Sequence, residues 1–115
     1  MDLRYLGMSA SNDPYALIEA KVKEAEELLS SVKGVKVFQF KGNDYEPFYV
    51  MINNGSLIIN KGTHSNPTLT IQVSGDVLVK LLSGQIDPVQ AYLSGLIKLS
   101  GDLMEAMALV SLITH

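Results

Sequence analysis

The chain predicts an α+β domain, a five-stranded sheet with helices gathered on one face. Three patterns carry that expectation. Apolar residues recur at helical spacing near the start, at strand spacing through the middle, and at helical spacing again toward the end. An Asn-Gly pair stands between two of the strand-like runs. The later helical runs open on Asp or Asp-Pro and are separated by glycines. A length of 115 residues allows one domain with a core of its own. Residues 1–13 read as a loose leader and residues 14–115 as the domain.

The first helix is written in "NDPYALIEAKVKEAEELLSSVKG". Asp13 can cap it, and Pro14 suits a first turn, where a missing N–H forfeits no intrahelical bond. Ile18, Val22, Ala25, Leu29 and Val32 form one buried stripe. Glu19 and Lys23 make a surface pair one turn apart, and Gly34 supplies the stop.

Strands follow. "VKVFQF" is β-branched and aromatic. "EPFYVMIN" is apolar on both alternating sets, Phe48, Val50 and Ile52 against Tyr49 and Met51. Asn54-Gly55 joins it to "SLIIN" through a turn in which both central residues need positive φ. After "KGTHSNP", "TLTIQV" sets Leu69, Ile71 and Val73 against Thr68, Thr70 and Gln72. These runs are expected to form an antiparallel meander.

The period then changes. "SGDVLVKLLSG" is a short helix with Val77, Leu78, Leu81 and Leu82 as a broad apolar face. Asp87-Pro88 starts another, which Gly95 ends. "LIKLS" is a strand, with Ile97 and Leu99 on one side. In "GDLMEAMALVSLI", Asp102 and Glu105 stand at capping-box spacing. Leu103, Met104, Met107, Ala108, Val110 and Leu112 cover most of that helix, which should therefore be buried.

Composition narrows the chemistry. Charged residues make up 18% of the chain and the net charge is −3, with nine Lys and Arg scattered rather than clustered, so no basic face for nucleic acid is expected. No cysteine is present, which removes disulfides, thiolate metal sites and thiol catalysis. No stretch approaches the ~20 apolar residues of a membrane span. The first residues lack a signal peptide's apolar middle, so a cytoplasmic protein is expected. His64 and His115 have no acidic or histidine neighbour at ligand spacing, and Asp13, Asp76, Asp87 and Asp102 all stand where helices begin, as caps do. No nucleophile elbow, phosphate loop or zinc motif occurs. The expectation is a protein that is not an enzyme and has no metal or cofactor. What is in surplus is apolar surface, 47% of the residues, with Met51, Met104 and Met107 able to conform to varied ligands.

The run "NPTLTIQVSGDVLVKLLSGQIDPVQAYLSGLIKLSGDLMEAMALV" resembles the sterol carrier protein 2 family, or SCP-2 sterol-transfer domain. The likeness lies in an ordered set: the alternating strand at residues 68–73, the acidic-started helix ending at Gly84, Asp87-Pro88, Tyr92 before Gly95, the strand at residues 96–99, then Gly101-Asp102 and a Met- and Leu-rich helix. With the preceding helix and strands it covers roughly residues 14–113. It implies a five-stranded, mostly antiparallel sheet whose helices enclose an apolar tunnel. It further implies binding or transfer of lipids: sterols, fatty acids, fatty acyl-CoA and phospholipids. For this chain the expected cargo is an acyl chain, fatty acyl-CoA, isoprenoid or similar lipid. Where family members often carry Gln after the Asn-Pro pair, this sequence has Val89, with Gln90 next. The chain ends at Thr114-His115 without a Ser-Lys-Leu-type signal, and the short stretch after the last helix suggests a more open tunnel.

The expected pocket residues are Phe48, Val50, Ile52, Leu78, Leu82, Ile86, Val89, Tyr92, Leu93, Met104 and Met107, all expected to be buried. The partner expected is a small hydrophobic ligand, with at most transient membrane contact and no nucleic acid. The alternative is an interaction or accessory subunit that offers the same apolar groove to a partner enzyme or to a second copy of itself.

Overall fold

The structure is a computed structural model, and it describes residues 13–24, 26 and 33–113. Its elements are α1 (Pro14–Glu24), β1 (Val35–Lys41), β2 (Phe48–Asn53), β3 (Ser56–Lys61), β4 (Leu69–Val73), α2 (Gly75–Leu82), α3 (Pro88–Leu93), β5 (Ile97–Gly101) and α4 (Met104–Ile113). Ala25, Leu29, Val32, His115 and the leader before Asp13 lie outside the described residues.

The five strands form one sheet in the order β3-β2-β1-β4-β5. β1, β2 and β3 are an antiparallel meander, closed by the expected turn at Asn54 (φ 50°) and Gly55 (φ 89°). β4 departs from the expectation. It does not continue the meander beside β3 but lies parallel to β1, with Phe38 opposite Leu69 and Phe40 opposite Ile71. The physical reason lies in the connection: residues 62–68 are longer than the usual hairpin loop of about two to five residues and are held elsewhere. The fully buried Gln39 amide donates to the carbonyls of Phe48 and Gly62, 3.0 Å each, and its oxygen accepts from the His64 N–H at 2.7 Å. Thr68 then takes both backbone groups of Val37, donating its N–H to the carbonyl (2.8 Å) and accepting the Val37 N–H on Oγ1 (2.9 Å). Alternation along a strand tells which face is apolar, not which neighbour it pairs with.

One sheet face carries the core. Phe38 and Phe40 of β1, Phe48, Val50 and Ile52 of β2, Leu69, Ile71 and Val73 of β4, and Ile97 of β5 are all buried on it. Across them pack Ile18 and Val22 of α1, Leu78, Leu81 and Leu82 of α2, Ala91 of α3 and Leu109 of α4. Burying such side chains stabilises by about 1.5–3 kcal/mol each.

The helix starts divide. Asp87 caps α3, accepting from Gln90 N–H at 3.0 Å, while Asp13 and Asp102 accept from Tyr15 and Met104. Asp76 is not a cap. Ser74 caps α2 by accepting from Val77 N–H, Asp44 accepts from Gly75 N–H, and Asp76 pairs with Lys80 inside the helix. The Asp102–Glu105 capping box does not close either. The Asp102 N–H donates to Thr68 O, and Glu105 turns instead to Lys36 of β1, 2.7 Å away.

Candidate functional site

Between the sheet and the second-half helices lies a cavity of about 350 Å³. Its floor is Phe40, Leu69, Ile71, Ile97 and Leu99, alternate residues of β1, β4 and β5 that share the core face. One wall is Leu78 and Leu81 of α2; a second is Pro88, Val89 and Tyr92 of α3. The third is α4 and the turn before it, through Leu103, Ala106, Met107, Leu109 and Val110. Of the fifteen described lining side chains, only Tyr92 carries a hydroxyl.

The space arises from short elements. α2 and α3 each end after one or two turns, and the chain reverses at Ser83-Gly84 and Ser94-Gly95, where the last carbonyls take their hydrogen bonds within the turn. Each helix thus drops only a few side chains onto the sheet, and they meet around a gap instead of filling it.

The expected pocket residues separate into groups. Leu78, Val89, Tyr92 and Met107 come together around this cavity. Phe48, Val50 and Ile52 are fully covered core residues on the far side of β1, where Phe48 stacks on Phe40 at 5.0 Å and meets Tyr15 edge-on at 5.3 Å. Leu82 and Ile86 line a neighbouring cavity of about 360 Å³ together with Lys21, Ser83, Gly84 and Asp87. Leu93 and Met104 are on the outside, 70% and 83% exposed.

The expectation of general burial is therefore corrected for Val89, Tyr92, Leu93, Met104 and Met107, and with them for Leu103. α3 is too short to bury more than Ala91, and the start of α4 stands off the sheet at the cavity mouth. The floor residues Phe40, Leu69, Ile71, Ile97 and Leu99 were not among those expected. Their signal was present in the alternation of "TLTIQV" and "LIKLS", but only the β1–β4 pairing puts them under the helices.

Among the described residues no three His, Asp or Glu side chains converge as metal ligands, and no helix is long and apolar enough to cross a membrane. His64 packs edge-on against Tyr49 and accepts from Asn66 N–H on Nδ1, a loop-shaping role. Burial, reinforced by the Asp44 carboxylate, pushes the Tyr45 hydroxyl above its ordinary range, and that hydroxyl donates to Val73 O at 2.9 Å.

A mixed five-stranded sheet here carries helices over an apolar cavity, the concave and mostly apolar form that small-molecule sites commonly take. The chain belongs to the SCP-2 sterol transfer family, whose model matches residues 16–114. It is similar to sterol carrier protein 2 of Rattus norvegicus, 28% identical over 99 residues, covering 83% of this chain and 18% of that protein. It is also similar to hydroxysteroid dehydrogenase-like protein 2 of the same species, 24% identical over 92 residues, covering 79% of this chain and 18% of that protein. The chain thus spans less than a fifth of these relatives. In fold it matches the solution NMR structure of palmitated SCP2L2 from Aedes aegypti, with a TM-score of 0.64 at 21% identity over 85% of this chain and 95% of that one.

Proposed function

We infer that this chain is a non-catalytic lipid carrier, holding the apolar tail of a fatty acid, acyl-CoA, isoprenoid or similar lipid in the cavity beneath α2, α3 and α4. The observation that carries this is the lining: about 350 Å³ of space walled, among the described residues, by fifteen side chains with one hydroxyl among them. That volume falls at the small end of the range typical of ligand pockets, about 300–1,000 Å³. Each methylene moved from water into such a space contributes about 0.8 kcal/mol, so a chain of about fourteen carbons gains on the order of 10 kcal/mol before ordering costs. Nothing in that gain needs a base or nucleophile. The palmitated state of the Aedes aegypti neighbour and the sterol-transfer description of the family support the same reading.

The test is native mass spectrometry of the chain purified from its host, paired with uptake of a fluorescent fatty acid by the parent and by Ala106→Phe. A co-purifying lipid at one per chain is expected, as is saturable uptake. The phenyl ring at 106 fills the cavity and lowers uptake at least tenfold while cooperative melting is kept. Equal uptake by a folded A106F would overturn the assignment of the tail to this space.

A second reading draws on the exposed apolar side chains of Leu93, Leu103 and Met104 beside the cavity mouth. In it the same groove docks a protein, either a second copy or a partner enzyme. Light scattering separates the two. A chain that stays monomeric with lipid bound supports the carrier, and a lipid-free dimer supports docking.

A further inference from the structure

We propose that Lys21 anchors the anionic headgroup of the bound lipid, in the second cavity next to the apolar one. This rests on the carrier reading and adds the head to the tail. The second cavity, about 360 Å³, shares Leu81 and Pro88 with the first as lining residues, so the two are neighbours, and a lipid spanning both would place its apolar end under α4 and its polar end against α1.

The polar groups of this second cavity are almost all committed. The Ser83 hydroxyl donates to the carbonyls of Val79 (2.9 Å) and Lys80 (3.3 Å). The Gly84 N–H donates to Leu81 O, and the Asp87 carboxylate caps α3 through Gln90 N–H. Lys21 is the exception. It is half-buried on α1 between the core residues Ile18 and Val22, and has no hydrogen-bond or ion-pair partner among the described residues. By contrast Lys23, Lys36 and Lys80 each have a carboxylate partner. A lysine that lines a concave, half-buried place is a ready partner for a carboxylate or phosphate monoester. Asp87 sets a limit on the head: its charge repels a group carrying several negative charges more than one carrying a single charge.

The bland role for Lys21 is to complement the carbonyl end of α2, which would affect stability but not ligand preference. The experiment separates these roles. Dissociation constants are measured with the full chain and its Lys21→Gln and Lys21→Arg variants, for a fluorescent long-chain fatty acid, its methyl ester and the matching alkyl phosphate. The parent is expected to bind the acid or the phosphate about tenfold more tightly than the ester, the scale of one charge-assisted hydrogen bond. Lys21→Gln abolishes that preference, leaves ester affinity unchanged and melts cooperatively, and Lys21→Arg retains the preference. Whichever anion is preferred identifies the head. If the parent binds acid, phosphate and ester equally, or if Lys21→Gln keeps the preference, the anchor is overturned while the carrier stands. If the parent binds none of the three, the carrier reading falls and the anchor with it.

Discussion

The Lys36 ammonium of β1 lies 2.7 Å from a Glu105 carboxylate oxygen in the first turn of α4, and both side chains are partly screened from water. This ion pair ties a central strand to the helix that forms one wall of the apolar cavity.

Removing either charge, by Lys36→Ala or Glu105→Ala, is expected to cost about 1 kcal/mol and lower Tm by about 4 °C. The double variant should lose little more than either single one. Thermal melts at low and high salt check this, because the loss shrinks when salt screens the pair in the parent. Identical melting of parent and Lys36→Ala at low salt would mean that the pair contributes nothing.

Gln39→Leu keeps the side-chain volume but removes the groups that satisfy Phe48 O, Gly62 O and His64 N–H. Leaving buried polar groups unpaired should destabilise by about 3 kcal/mol. Hydrogen exchange should become faster at His64 before it does at the β1–β2 ladder. Chemical denaturation and amide exchange test the two halves of that statement.

Gly101 has φ 114°, and a Cβ placed there would stand 2.5 Å from Thr68 O. Gly101→Ala therefore combines backbone strain with a collision against main chain, and should cost about 3 kcal/mol or more. Gly84 shares the positive φ, at 80°, but a Cβ there meets nothing within 4 Å. Gly84→Ala should lose only the conformational term, about 1 kcal/mol. Denaturant midpoints of the two variants give the comparison directly.

Tyr45 supplies the pH dependence. Its hydroxyl is held above the ordinary value of 10.0, first by burial and then by Asp44. The folded chain therefore keeps a proton that the unfolded chain releases once pH passes about 10. The stability linked to Tyr45 is complete below that pH and declines as pH rises through the alkaline range. Tyr45→Phe, which also loses the hydrogen bond to Val73 O, should be less stable at neutral pH and fall less steeply above about pH 10. Parallel alkaline slopes for parent and variant would rule this out.

Much of this fold was legible because its signals are local. Pro14, the Asn54-Gly55 pair, Asp87-Pro88 and the glycines at 84 and 95 mark elements whose starts and stops depend on neighbouring residues alone. The position of β4 was not legible, because it depends on Gln39 and Thr68 meeting groups far away in sequence. The site followed the same division. Leu78, Val89, Tyr92 and Met107 lie on helices whose apolar faces show in the spacing, and they line the cavity. Phe48, Val50 and Ile52 look just as apolar, yet β2 lies on the side of β1 away from β4, among Tyr15 and Tyr45. The bare surfaces of Leu93 and Met104 could not be read from periodicity, since a short helix exposes apolar residues wherever no neighbour reaches it.

The parallel ladder between β1 and β4 makes a seam. On one side stands a three-strand meander that closes through neighbours in sequence; on the other, β4 and β5 bring the helices that roof the hollow. Neither half completes the container, and the strands that join them are brought together from well apart along the chain. Entropy must be spent to close that distance before the seam returns any contact energy, so the zipping of β4 onto β1 is expected to come late in folding. On that order of events the hollow, and with it the proposed capacity to take up cargo, is expected to form last.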